Sequence, residues 1–280
     1  LDRIPRTLLR SVAFSEGYDL YDKSGELLSD KKLCSLINST KPTKKWLNQQ
    51  RKYINNLNKN NRELVHYYTF HGNNVINATL RGNYREAYKA FREDEDPVVP
   101  MKYIGKLVRK NYDDEDKDYD ADQDEDFPKI IDGLKRLSYD LNEIILSAPV
   151  LDKDIVVYRG VDSDKFINKK STGITSTSLW IETAMIYPEP LPGRNGVNGY
   201  LLFISIPKGF PCLFLGWDDH SQFTWEKEIL LPVGTEYLSD NKFQEIEIAE
   251  TRMGDINGFC MAAKNSVIVL MNHASVIGYS

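Results

Sequence analysis

Cysteine and histidine are scarce in this chain, at three and four among 280 residues. Cys34, Cys212 and Cys260 are scattered and odd in number, which argues against a disulfide framework and offers no metal-ligand spacing. Each reads as a small buried hydrophobe. His66, His71, His220 and His273 form no H-x-x-x-H or comparable cluster, so a zinc or di-metal hydrolase has little support and no metal is expected. No apolar run approaches the roughly 20 residues of a membrane helix. No signal peptide is visible, but the chain starts at Leu1 rather than methionine, as a processed or engineered product would, and export stays open. Basic charge is not in excess either: the net charge of -5 gives no sign of a general nucleic-acid binder, although a local basic patch is compatible with it. No internal repeat is visible.

What is present is a 41% hydrophobic content, enough for the core of one large or two small domains of a soluble globular protein. The first half reads as helices. "KKWLNQQRKYINNL" and "NRELVHYYTFHGNNVINATLRG" carry apolar residues at helical spacing, with Val65, Tyr68, Val75, Ile76 and Leu80 as core positions and Gly82-Asn83 as a C-terminal cap. Residues 1–45, with turn signals at "DKSGE" and "STKPT", read as an appendage or linker, and residues 46–280 as the main domain. The stretch 112–126, "YDDEDKDYDADQDED", is too charged to fold alone. Its likeness to a calcium loop fails because Tyr119 or Ala121 stands where glycine is required, so it reads as a solvated acidic loop. The amphipathic helix "FPKIIDGLKRLSYDLNEIILSAP" follows.

The second half changes character. "DIVVYRGV", "GYLLFISIP", "CLFLG", "KEILLPVGTEYL", "FQEIEIAE" and "SVIVLMN" are short, rich in β-branched and aromatic residues, and separated by turn residues. The expected fold class is α+β: a helical N-terminal lobe laid on a mainly antiparallel two-sheet β-sandwich.

Three features of this half carry chemistry. Arg159 closes an apolar strand, either as a strand-end arginine in water or as a guanidinium held to clamp a phosphate. "GITSTSL" places Ser176 and Ser178 on one strand face, as a polar edge strand also would. "FTWEKEILLPVGTEY" carries Glu226 and Glu228 two positions apart, which in a strand sets two carboxylates side by side about 7 Å apart. That is either a solvated strand end or a pair with a task, because like charges at that distance repel unless solvent or a ligand intervenes.

In this order and spacing the three features resemble the arginine, serine, glutamate class of mono-ADP-ribosyltransferases, which includes bacterial actin- and Rho-modifying toxins, phage enzymes and vertebrate ecto-enzymes. "LSAPVLDKDIVVYRGV" is similar to the family's segment around its arginine, "GITSTSL" to its S-T-S strand and "FTWEKEILLPVGT" to its E-x-E strand with L-P-x-G-T. "HYYTFHGNNVINATLRGN" is similar to the helix ending in I-N-x-x-L-R-G in the toxin-like branch. The resemblance runs from about residue 50 to the C-terminus.

It implies NAD as substrate, cleaved between nicotinamide and ribose, with ADP-ribose passed to a protein and no metal required. Arg159 would support the dinucleotide through phosphate, Ser176 would organise the site, and Glu228 would be the catalytic carboxylate, stabilising the positive charge that develops on the ribose. Glu226 would orient an acceptor guanidinium and help remove its proton, which favours an arginine acceptor, with actin a candidate target. Phe223, Thr224 and Trp225 would form the acceptor-recognition loop, although Trp225 could equally be core. Asn77 and Arg81 match positions that approach the cofactor, and helix surface and a salt bridge explain them nearly as well. Tyr187 and Arg194, in the Pro- and Gly-rich "IYPEPLPGRNGVNGY", are the remaining NAD contacts expected, in the segment that departs most from the family pattern. The toxin-like likeness implies secretion or delivery into a host cytosol, with no nucleic-acid partner and no membrane segment. Two other readings stay open: an NAD glycohydrolase in which water replaces the acceptor, and an inactive binding module on the same fold.

Overall fold

The computed structural model describes residues 40–94, 97–105, 124–161, 170–184, 197–216, 227–239, 244–248 and 267–279. Helix α1 (Lys44–Asn56) starts where Thr43 accepts a hydrogen bond from the Trp46 amide at 3.1 Å, satisfying one of the donors a helix leaves open. Trp46, Gln50 and Ile54, one turn apart, form its buried stripe. Trp46 Nε1 donates to the Pro149 carbonyl at 2.9 Å. Gln50 Nε2 donates to Pro149 and Cys212 carbonyls at 2.7 and 3.0 Å, while Gln50 Oε1 accepts from the Phe214 amide at 3.1 Å. A buried amide so fully paired ties the helix to the strands it covers. Cys212 is a free, buried thiol whose pKa burial pushes up, as a small hydrophobe's would be.

Helices α2 (Lys59–Tyr67) and α3 (Asn73–Leu80) are joined by a π turn over Tyr68–Gly72. The sequence reads as one continuous helix here, because a single π turn leaves the apolar stripe nearly intact. The expected cap is found. Gly82, at φ 75°, donates to the Thr79 carbonyl and Asn83 to the Ala78 carbonyl, the paired bonds of a Schellman motif, and Arg81 is thereby held at the helix end. Helices α4 (Tyr84–Arg92), α5 (Val98–Ile104) and α6 (Phe127–Leu146) complete the lobe around Val75, Tyr88, Phe91, Ile130 and Leu134.

The strands are β1 (Ile155–Val161), β2 (Thr175–Ser178), β3 (Val197–Ile206), β4 (Leu213–Phe214), β5 (Glu228–Leu231), β6 (Thr235–Ser239), β7 (Gln244–Ile248) and β8 (Val267–Tyr279), with the short helix α7 (Ile181–Ala184) after β2. The expected two-sheet sandwich is not what they form. Among the described residues they make one hydrogen-bonded sheet in the order β4-β5-β2-β1-β3-β8-β6, with β7 also on β8. Pairing is antiparallel throughout except for the parallel β3–β8 pair, so the sheet is mixed. β1 pairs on one edge with β2 and on the other with β3, and so welds what would have been two sheets. The sheet curls: Ile229 and Leu231 of β5 share a core with Leu202, Ile204 and Ile206 of β3, across the two strands between them, and Trp46 and Phe214 plug it. A curled sheet and a sandwich both ask each strand for one inward apolar face, so the strand sequences are the same for either. On the outer face Ile174, Leu213 and Leu230 meet Leu64, Tyr68 and Ile76 from the lobe, and Leu137, Leu141 and Ile145 of α6. Each such buried side chain contributes about 1.5–3 kcal/mol.

Residues just ahead of α1 belong to this assembly. The Val156 amide donates to the Thr40 carbonyl at 3.1 Å, and Lys41 Nζ donates to Tyr158 Oη and the Leu179 carbonyl at 3.1 and 2.8 Å. Residues 1–39 and most of the acidic stretch lie outside the described residues.

Candidate active site

Strands β1 and β2 share a single registered pair, Tyr158 with Ser178, and then part. Beyond the parting, the carbonyl of Ser176 needs a donor from elsewhere, and Arg159 Nη1 supplies it at 2.9 Å. Ser176 and Ser178 share a strand face, and β5 lies against that strand with Glu228 directly opposite Ser178. Thr177, on the other face, donates to the Ile229 carbonyl at 2.8 Å and pins the two strands. The Glu228 side chain is buried, at 8% exposure.

The helical lobe closes the site from the outer face. Tyr68 Oη lies 3.3 Å from Ser176 Oγ and accepts from Asn77 Nδ2 at 3.3 Å. Residues 68 and 77 are nine apart, which in an unbroken α-helix would set them about 180° around the axis. The π turn between them, winding more loosely, brings both side chains to one patch. Asn77 Oδ1 is buried and has no hydrogen-bond partner among the described residues. It faces Gly173, where a Cβ would stand 2.6 Å from Asn77 Oδ1 and 3.7 Å from Arg81 Nε. The bare glycine lets the β2 approach lie against the end of α3.

These groups feel one another. Burial raises the Tyr68 phenol to about 12, with the negative charge of Glu228 adding to the shift and the hydrogen bonds from Ser176 and Asn77 and the charge of Arg159 opposing it. Burial lowers the pKa of Arg159. The Tyr237 and Tyr68 phenols counteract this, the Arg81 charge lowers it further, and Glu228 again favours the cation. A guanidinium keeps its proton through such a shift. The site therefore holds a fixed cation and a fixed carboxylate around a neutral phenol.

β5 begins at Glu228, and Lys227 just ahead of it sits at φ 45°, in the left-handed region. The expected side-by-side pair with Glu226 falls on a residue outside the described ones. Arg159, Ser176, Glu228, Asn77 and Arg81 are placed around one site. Glu226, Phe223, Thr224, Trp225, Tyr187 and Arg194 lie outside the described residues. Two residues of this patch were not singled out from the sequence: Tyr68, which apolar periodicity assigns to the core alone, and Gly173, which stands only as the glycine leading into the S-T-S strand. A buried tyrosine's need of a polar partner was the available signal for the first. Among the described residues no three His, Cys, Asp or Glu side chains stand close enough to hold a metal ion.

No family profile matches the chain, and no curated protein matches it in sequence. Solved structures to which the chain is similar are found. Plx2a, an ADP-ribosyltransferase toxin from Paenibacillus larvae, is 16% identical, with 84% of this chain and 94% of that one covered, at a TM-score of 0.44. The enzymatic component C2-I of the C2 toxin from Clostridium botulinum is 14% identical over 85% of this chain and 48% of its own, so this chain spans about half of it, at 0.48. C3stau2 from S. aureus, solved with NAD, is 14% identical over 84% and 98%, at 0.45. At these identities none of them carries a residue's role over to this chain.

Proposed function

We propose that this chain is a mono-ADP-ribosyltransferase that cleaves NAD at the nicotinamide–ribose bond and transfers ADP-ribose to an arginine of a target protein. The observation that supports it most is the meeting of Arg159, Ser176 and Glu228 where β1 and β2 part, with Tyr68 and Asn77 closing the patch. The residues present suit a dinucleotide: a strand-held cation, a buried carboxylate, a buried amide oxygen at Asn77 without a partner among the described residues, and a glycine cradle beside Arg81.

In the reaction the C–N glycosidic bond breaks, its electron pair leaves with neutral nicotinamide, and positive charge spreads over the ribose. A carboxylate that accepts a hydrogen bond from the ribose 2′-hydroxyl stabilises that charge as it forms, and a buried one does so without the screening of water. Glu228 has that role. Arg159, anchored to the Ser176 carbonyl, supports the pyrophosphate with little conformational freedom to lose. Ser176, through Tyr68, couples the S-T-S strand to the helix bearing Asn77 and Arg81. An acceptor guanidinium nitrogen then bonds to the ribose carbon and gives up its proton, with Glu226 as the receiving carboxylate and Phe223, Thr224 and Trp225 as the residues that recognise the acceptor. Tyr187 and Arg194 complete the dinucleotide contacts. A host protein reached by secretion or delivery, actin among the candidates, is the target this reading supplies.

The test is incubation of the protein with labelled NAD and a cell lysate beside a Glu228→Gln variant. A labelled band and free nicotinamide, both lost in the variant, are expected, with kcat down about 100-fold or more for removal of a charge aimed at the transition state. Nicotinamide without a band would replace the reading with NAD hydrolysis. Absence of both, with NAD failing to raise Tm, would leave a binding module.

A further inference from the structure

Lys227, between the two glutamates, adopts a backbone conformation that costs a non-glycine residue energy, at φ 45°. Three contacts of its own and one of the next residue hold it there. Its Nζ donates to the Gly216 carbonyl at 2.9 Å and lies 5.6 Å from the centre of the Trp180 ring, within range of a cation–π attraction. Its carbonyl accepts from the Leu179 amide at 3.1 Å, and the next carbonyl, that of Glu228, accepts from the Leu215 amide at 2.9 Å. Gly216 itself is shaped for this: a Cβ there would stand 2.9 Å from Lys227 Cδ and 2.2 Å from Phe214 Cζ. Trp180 is in turn fixed through its amide, which donates to Ser178 Oγ at 2.9 Å, and Ser178 is the residue opposite Glu228.

We propose that Lys227 is a positioning residue: its ammonium, clamped between the Gly216 carbonyl and the Trp180 ring, holds the left-handed turn that aims Glu228 into the site. The inference rests on the reading of Glu228 as the catalytic carboxylate. The clamp ties the strand bearing Glu228 to the ends of both flanking strands, β2 through Leu179 and Trp180 and β4 through Leu215 and Gly216. Without the ammonium, the strained φ is free to relax toward the extended region, and Glu228, one residue on, moves with it.

Four proteins are compared: wild type, Lys227→Met, which keeps the aliphatic stem and loses the donor; Lys227→Arg, which restores a cation and donor; and Lys227→Gly, which tolerates the positive φ but has no clamp. Nicotinamide release is measured as kcat and KM for NAD, and amide hydrogen exchange is followed at Leu179 and Leu215. The expected result is a kcat about tenfold lower in Lys227→Met with KM for NAD within about twofold, the scale of misplacing a catalytic group by less than 1 Å. Lys227→Arg recovers most of the loss, Lys227→Gly does not, and exchange at Leu179 quickens in the Met and Gly variants while Tm stays close to wild type. Unchanged kcat and exchange in Lys227→Met overturn the proposal, as does a loss that Lys227→Arg fails to rescue. A wild type that releases no nicotinamide, with exchange still faster in Lys227→Met, overturns the enzymatic reading and supports the clamp.

Discussion

Gly173→Ala probes the junction between the S-T-S strand and the helix end with the smallest available change. Gly173 has an ordinary backbone conformation, so the effect of the methyl group comes from the space it meets. Its Cβ would stand 2.6 Å from Asn77 Oδ1 and 3.3 Å from Asn77 Cγ, where ordinary contact begins at 3.4 Å, so Oδ1 must retreat by about 0.8 Å. That shift rotates the amide whose Nδ2 holds Tyr68 Oη at 3.3 Å, and with it the contact to Ser176. Overpacking of this kind costs about 1–3 kcal/mol, or a few degrees in Tm for a chain of this length. A displacement approaching 1 Å among groups that position a substrate lowers turnover by up to about 100-fold. We expect nicotinamide release by Gly173→Ala to fall at least about tenfold in kcat/KM for NAD. The clash is specific, so it disappears with its partner: Gly173→Ala combined with Asn77→Ala is expected to be no worse than Asn77→Ala alone, a coupling of about 1–2 kcal/mol in a double-mutant cycle. Wild-type kinetics in Gly173→Ala, or strict additivity in the cycle, would refute the claim that this glycine is a cradle for Asn77.

Tyr68→Phe removes the hydroxyl that links helix to strand. Its two hydrogen bonds are long, so a loss of about 1 kcal/mol, or about fivefold in kcat/KM, is expected by the nicotinamide assay. The same variant tests a pH dependence. The Tyr68 pKa is raised from 10.0 to about 12 on folding, so the stability of its protonated form is fully present below about pH 10 and lost as pH rises toward 12. Urea midpoints should therefore fall less steeply between pH 10 and 12 in Tyr68→Phe than in wild type, and parallel curves would count against the shift. Gln50→Ala strips one side chain of two donated bonds and one accepted bond, all made in a buried place. It should lower the unfolding free energy by about 2–4 kcal/mol in urea titration, with a loss under 1 kcal/mol showing that water replaces the amide.

Legibility differed sharply between parts of the molecule. Helices α1 and α6 carry amphipathic stripes, α1 is capped by Thr43, and the Gly82-Asn83 stop was recognisable because only the left-handed region ends a helix that way. The order of β-rich segments was legible for the same local reason, whereas the grouping of Arg159, Ser176 and Glu228 came from the resemblance of their motifs to a known family. The π turn was not, because one looser turn leaves the hydrophobic pattern intact while changing where Tyr68 points. The turn at Lys227 was not, because the sequence around it alternates as a strand would.

Local physics thus determined which segments are helix or strand and where several of them stop, since propensity, capping and periodicity act over a few residues. Tertiary structure alone decided that the strands form one curled sheet, that β1 and β2 part at Arg159, and that Tyr68 and Asn77 meet Ser176. Edge pairing joins strands well separated in the chain, as Tyr158 with Ser178 and Leu201 with Met271, and side-chain aim reaches farther still, Tyr68 and Ser176 being 108 apart, so no short window along the sequence holds both partners.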